Sequence, residues 1–146
     1  MRYFTLEEAA RVLPEIERHL RDALYHKAEY QRTHQELERT RERVRQSGGA
    51  RLDPARQREL RATHDSSAGQ LQRALGEIQE AGALVKDLDI GLIDFLCLYH
   101  GREVCLCWKL GEDHRMRFWH GTEEGFRGRK PIDEEFRKNH RGDSIC

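Results

Sequence analysis

Apolar and long side chains recur at alternating intervals of three and four residues from Leu6 to Val44, and this spacing constrains the fold more than any other feature. Such a pattern is typical of the seam of a coiled coil. The seam is apolar at its start and polar beyond Lys27, so we expect the distal half to pack weakly. The positions are Leu6, Ala9, Leu13, Ile16, Leu20, Ala23, Lys27, Tyr30, His34, Leu37, Arg41 and Val44.

Helix-ending and helix-starting residues divide the first part of the chain into two helices. Thr5 and Glu8 form a capping-box pattern before the first helix, and Ser47-Gly48-Gly49 ends it. Asp53-Pro54 begins a second helix, and Gly82 ends that one. The short connection predicts a long antiparallel coiled-coil hairpin over residues 1–82. Pro14 predicts a kink or a late start in the first helix.

The period changes after Gly82. Val104, Leu106 and Trp108 alternate with Cys105 and Cys107, as in a strand with two different faces. We expect three short antiparallel strands near residues 92–95, 103–109 and 116–120, within a small β module over 83–132. The charged segment 133–146 is predicted to be a frayed helix or disordered. The fold class is therefore predicted to be α+β.

Composition limits the functions to be considered. The chain has 146 residues, 36% of them charged, and a formal net charge of zero, so no global field draws it to nucleic acid or lipid. No apolar run is long enough to span a membrane. We expect a cytoplasmic protein with reduced cysteines, because no export signal is visible.

The β module holds residues that are typical of metal sites. Cys105 and Cys107 share a strand face, and His120 and Asp94 are the other predicted ligands. Thiolate, imidazole and carboxylate all bind zinc. Packing as small buried residues is nevertheless the commoner role of such cysteines. Cys107, His120 and Asp94 could instead serve as nucleophile, base and orienting acid.

The predicted hairpin tip is rich in arginine. Positive side chains at a solvated tip suit a phosphate backbone, although pairing with glutamates of the same helix explains them as well. The predicted nucleic-acid contacts are Arg39, Arg43, Arg45, Arg51 and Arg56.

These features favour a non-catalytic interaction protein that uses its hairpin to bind a protein partner or a second copy of itself. Unequal helix lengths leave part of the first helix without a partner, which is why we expect self-association. Zinc binding in the β module is the first alternative, and nucleic-acid contact through the tip is the second.

The chain also resembles a family of small prokaryotic proteins, domain of unknown function 2203. The resemblance implies no established activity. It implies that Cys107 belongs to the family pattern, whereas Cys105 and Leu96 stand where the family usually has other residues. The matching segments begin with Tyr3-Phe4-Thr5-Leu6-Glu7-Glu8-Ala9, Val85-Lys86-Asp87-Leu88 and Gly91-Leu92-Ile93-Asp94-Phe95. They continue with Gly101-Arg102-Glu103-Val104, Leu106-Cys107-Trp108-Lys109-Leu110-Gly111-Glu112, Trp119-His120, Gly125-Phe126 and Gly128-Arg129-Lys130-Pro131.

Overall fold

The computed structural model describes residues 2–48 and 52–143, which form an α+β fold. Two long helices come first, α1 (Leu6–Ser47) and α2 (Pro54–Glu80). A mixed segment follows, with strands β1 (Leu84–Asp87), β2 (Leu92–Tyr99), β3 (Arg102–Lys109), β4 (Phe118–Gly121), β5 (Lys130–Pro131) and β6 (His140–Arg141) and the short helix α3 (Glu134–Asn139). The α+β fold class is confirmed.

The predicted helix ends are confirmed by their hydrogen bonds. The Thr5 hydroxyl accepts from the Glu8 amide at 3.1 Å, and the Thr5 amide donates to the Glu8 carboxylate at 2.9 Å. The Asp53 carboxylate accepts from the Ala55 amide at 3.0 Å, and Gly82 has a positive φ of 96° just beyond α2. α1 begins at Leu6 and includes Pro14, so the alternative of a late helix start is wrong.

The chain divides into two compact units. The sheet unit comprises Met1–Leu20 and Leu75–Cys146, and the hairpin unit comprises Arg21–Ala74. This division differs from the boundary after residue 82 that the sequence suggested. The domain limits 1–82, 83–132 and 133–146 remain a prediction.

The hairpin unit contains the distal part of α1 and most of α2, running antiparallel. Arg56 pairs with Glu36 at 3.1 Å, and the Tyr30 and His64 rings stack with centroids 4.5 Å apart. The partner of the earlier α1 residue, Tyr30, is the later α2 residue, His64, and the partner of the later α1 residue, Glu36, is the earlier α2 residue, Arg56. This order is the one that an antiparallel hairpin requires. The helical hairpin is confirmed, while its supercoiling remains a prediction.

The sheet unit is built around one antiparallel sheet with the order β1-β2-β3-β4-β5, and β6 pairs with β2. The three predicted strands are confirmed as β2, β3 and β4, and three shorter strands enlarge the sheet. One face of the sheet carries Phe95, Leu106 and Trp108, which are almost fully buried. Phe95 packs edge-on against Phe4, with ring centroids 4.9 Å apart.

The segment from Asp133 differs from the predicted frayed helix or disorder. Asp133 caps α3 by accepting from the Phe136 amide at 2.8 Å. The Phe136 side chain is fully buried beside Tyr99 and Trp119. A single large aromatic residue thus anchors a helix that is too short to show a hydrophobic period.

A candidate metal centre

The strand register brings the four predicted ligands to one face of the sheet. Asp94 on β2 lies directly opposite Cys107 on β3, and Cys105 on β3 lies directly opposite His120 on β4. Directly paired residues of antiparallel strands project from the same face, as do residues two apart on one strand. The face opposite Trp108 therefore carries two thiols, a carboxylate and an imidazole.

Three of these side chains converge. The nearest ligand atoms of Asp94, Cys105 and His120 all lie within 4.8 Å of one another. Their exposed fractions are only 1%, 4% and 3%. The three adjacent central strands contribute one residue each, so the cluster is held by the best-paired part of the sheet.

His120 and Asp94 form a buried pair. The His120 Nε2 atom lies 3.0 Å from Asp94 Oδ2, and His120 Nδ1 lies 2.8 Å from the Gly121 carbonyl oxygen. A carbonyl oxygen only accepts, so Nδ1 carries a hydrogen and donates it. A second proton must then lie between Nε2 and Oδ2, because two lone pairs at 3.0 Å repel each other. This proton can be replaced by a cation.

The second oxygen of the Asp94 carboxylate takes no part in the pair with His120. Asp94 Oδ1 is buried and has no hydrogen bond of ordinary geometry. Leaving a buried acceptor unpaired costs about 1–3 kcal/mol, and more when the group is charged. A positively charged ligand held by the surrounding side chains would stabilise such an atom.

Both thiols on this face are protonated in the absence of a cation. Burial, with the charge of Asp94 second, raises the pKa of Cys105 to about 12. The same two causes raise the pKa of Cys107 to about 12, although Arg129 opposes them. Cys107 is therefore poorly suited to the nucleophilic role that the sequence left open, since the thiolate is the reactive form.

Cys107 lies beside the cluster rather than within it. Its sulfur is 3.9 Å from Nη1 of Arg129, whose guanidinium forms an ion pair of 2.6 Å with Glu112. The same guanidinium lies over the Phe118 ring at 4.0 Å and over the Phe126 ring at 4.3 Å. The sequence offered only a basic, glycine-rich stretch here, and it did not predict that Arg129 turns inward to a cysteine.

The donor set fits a zinc ion. Zinc prefers thiolate, imidazole and carboxylate ligands in a tetrahedron. Bonds of about 2.0 Å to nitrogen and oxygen put those two atoms about 3.3 Å apart in a tetrahedron, close to the 3.0 Å between His120 Nε2 and Asp94 Oδ2. Magnesium and calcium prefer oxygen ligands alone, so the thiol and imidazole disfavour them.

The four predicted nucleic-acid residues that the structure describes lie in the hairpin unit. Arg45 pairs with Glu42 and Arg56 pairs with Glu36, both at 3.1 Å. Arg39 and Arg43 line a surface cavity together with Arg56, and among the described residues neither has an ion pair. Arg51 lies outside the described residues. Nucleic-acid contact through these side chains remains a prediction.

No helix in the described parts of the chain is both long and apolar enough to cross a membrane.

The fold and the cluster together define an α+β protein in which a helical hairpin accompanies an antiparallel sheet with a buried Asp-Cys-His group. Residues 2–132 match the family described as uncharacterized conserved protein (DUF2203), and the chain belongs to that family. The resemblance noted in the sequence is thereby confirmed. No curated protein and no solved structure matches the chain significantly.

Proposed function

We propose that the sheet unit binds one zinc ion through Asp94, Cys105 and His120. The observation that carries this proposal is the convergence of three different ligand types within 4.8 Å at a buried position. The buried Asp94 Oδ1 atom also favours a cation, because it accepts no hydrogen bond of ordinary geometry and the donors beside it are the weakly donating thiols of Cys105 and Cys107. We place the function in the cytoplasm, where thiols stay reduced.

Zinc binding exchanges protons for the metal. The Cys105 thiol loses its proton to solvent, and the proton between His120 and Asp94 leaves as well. The two negative ligands then balance the two positive charges of the ion, which makes burial of the complex less costly than burial of a free charge. Because the ligands must be deprotonated, zinc affinity falls as the pH is lowered.

Elemental analysis of protein purified without a histidine tag tests this proposal. We expect one zinc per chain in the wild type after dialysis against micromolar zinc and then against metal-free buffer. Cys105→Ala and His120→Ala should retain far less. The matched control is Cys97→Ala, which removes another buried thiol of the same sheet from the opposite face. Equal zinc retention in all four proteins, or substoichiometric zinc in the wild type, contradicts the proposal.

We also propose that the hairpin unit contacts a protein partner or a second copy of the chain. The observation that favours this function is a thin core. Among the described residues of this unit, the buried apolar side chains are Ala23, Leu60 and Ala74, while Tyr25 is 64% exposed. Long helices with so little buried apolar area gain stability from an additional partner.

Light scattering at two protein concentrations tests the self-association form of this second function. We expect the mass to rise with concentration in the wild type and to stay closer to a monomer in Tyr25→Ser. A strict monomer at both concentrations contradicts self-association and leaves a different protein as the partner. That partner can then be sought with the wild type as bait and Tyr25→Ser as the matched control.

A further inference from the structure

A second cysteine lies next to the proposed zinc ligands. Cys107 is 1% exposed and projects from the same sheet face as Cys105 and His120. It is also the residue directly opposite Asp94 in the β2–β3 pair. Directly paired residues of antiparallel strands have their Cβ atoms about 4.5–5.5 Å apart, so Cys107 and Asp94 are neighbours on this face.

Arg129 is held in place next to the Cys107 sulfur. Two bonds to Glu112, of 2.6 and 3.2 Å, hold the guanidinium, and Phe118 and Phe126 lie against its faces. The Arg129 side chain is 15% exposed. An arginine held so firmly loses little additional entropy when it donates to a sulfur, and its charge favours the thiolate over the thiol.

We propose that the Cys107 sulfur, which lies beside the three-residue cluster, moves to become the fourth protein ligand when the metal binds, and that Arg129 is a positioning residue that donates to the Cys107 thiolate. This inference rests on the proposed function. A metal with four protein ligands is closed, whereas a catalytic zinc keeps one position for water. The metal would then join β2, β3 and β4 and stabilise the fold, with no water activated for chemistry.

The charges of this arrangement are consistent. Two thiolates, one carboxylate and a neutral imidazole around a divalent ion leave one net negative charge. The guanidinium of Arg129 lies beside the sulfur that carries part of that charge. Partners of this kind in the outer shell typically change metal affinity by about 10–100-fold.

Cobalt substitution tests the number of sulfur ligands. Thiolate-to-cobalt charge-transfer absorption in the near ultraviolet grows with the number of bound thiolates. We expect the cobalt-loaded wild type to show the absorption of two thiolates, Cys107→Ala to show roughly half of it, and the matched control Cys97→Ala to equal the wild type. Full intensity in Cys107→Ala overturns the fourth-ligand proposal but leaves zinc binding intact.

X-ray absorption of the zinc-loaded wild type gives a second measurement that needs no variant. Two sulfur atoms in the first shell support the proposal, and one sulfur atom overturns it. Should the wild type bind neither cobalt nor zinc, the proposed function itself fails. The two failures are thus distinguishable even when Cys107→Ala does not fold.

The role of Arg129 has its own readout. We expect Arg129→Gln to keep the two-thiolate cobalt absorption while zinc dissociates about 10–100-fold more readily. Arg127→Gln is the matched control, because Arg127 stands two residues away in the same segment. Unchanged zinc affinity in Arg129→Gln overturns the positioning role.

Discussion

Both units of the protein bury a polar atom without a hydrogen-bond partner, and the two cases differ in kind. Within the described residues these atoms are His64 Nε2 in the hairpin unit and Asp94 Oδ1 in the sheet unit. His64 Nδ1 lies 3.3 Å from the Asp65 carboxylate, so Nδ1–H can donate and leave Nε2 as a neutral acceptor. Asp94 Oδ1 belongs to a carboxylate, and an unpaired buried charge costs more than an unpaired neutral atom.

The surroundings of the two atoms differ as well. The His64 ring stacks on Tyr30, with His34 beyond it at a centroid distance of 5.7 Å. Nearby, the buried Thr33 hydroxyl donates to the Glu29 carbonyl at 2.9 Å within its own helix. Ring stacking and a hydrogen bond within the helix thus explain why the polar side chains of His64 and Thr33 lie inside the hairpin unit. In the sheet the buried Asp94 carboxylate has only the weakly donating thiols of Cys105 and Cys107 beside its second oxygen, and the proposed cation would stabilise it.

Removal of each histidine is the strongest way to break this comparison. We expect His120→Ala to lower the free energy of unfolding of the metal-free protein by about 3–5 kcal/mol, because Asp94 is left as an uncompensated buried charge. His64→Ala should cost only about 1 kcal/mol, since it removes a partly buried ring and one unpaired acceptor. Denaturant unfolding measures both, and similar costs would contradict the distinction.

The packing explanation for the hairpin can be tested at a small buried residue. Ser67 is 4% exposed in α2, so Ser67→Leu forces extra volume into a buried position. We expect a destabilisation of about 1–3 kcal/mol from overpacking, visible as earlier loss of helical circular dichroism. The control is Ser66→Leu at the neighbouring exposed position. Stabilisation by Ser67→Leu would show that the hairpin core is underfilled.

The buried Cys97 thiol of the sheet unit makes the stability of the protein depend on pH. Burial raises the pKa of Cys97 from 9.0 to about 12. Because the pKa of Cys97 is higher in the folded than in the unfolded protein, the buried thiol contributes to the free energy of unfolding at a pH below about 9. This contribution is lost as the pH rises from about 9 towards 12. Between pH 8 and pH 10 we therefore expect Cys97→Ala to lose about 1 kcal/mol less stability than the wild type. Identical pH profiles would show that Cys97 is not buried as described.

Arginine replacements at the hairpin tip are expected to have the smallest effects. If the tip binds nucleic acid, the double variant Arg39→Ala, Arg43→Ala should reduce the salt dependence of binding by about 0.9 in slope for each phosphate that is no longer neutralised. The double variant Arg45→Ala, Arg56→Ala should change it less, because both arginines already pair with glutamates. Absence of binding to single- or double-stranded RNA at low salt would remove the prediction.

Much of the fold could be predicted because local signals carry it. The capping box at Thr5, the Asp53-Pro54 start and the glycine at 82 each act through hydrogen bonds within a few residues. The alternation around Cys105 also separated the two faces of β3 correctly. The sequence left the segment of helix α3 as either a frayed helix or disorder, because its core contact is a single residue, Phe136, and its cap at Asp133 was the only local signal.

The arrangement of the site was less predictable because it depends on strand register. The sequence identified Asp94, Cys105, Cys107 and His120 as a group. Only the pairing of β3 with β4 shows that Cys105 lies opposite His120. A shift of one residue would have put the imidazole on the other face. Arg129 approaches Cys107 across twenty-two residues of chain, which no local pattern reports.

Zinc-dependent stability measured on untagged protein tests the central claim most directly. We expect the wild type to bind one zinc per chain, and to gain about 2.7 kcal/mol of unfolding free energy at a free zinc concentration of 100 times the dissociation constant. Cys105→Ala should lose this gain, whereas Cys97→Ala should keep it. A wild type whose unfolding is unchanged by zinc would contradict the assignment of the Asp94, Cys105 and His120 cluster as a metal site.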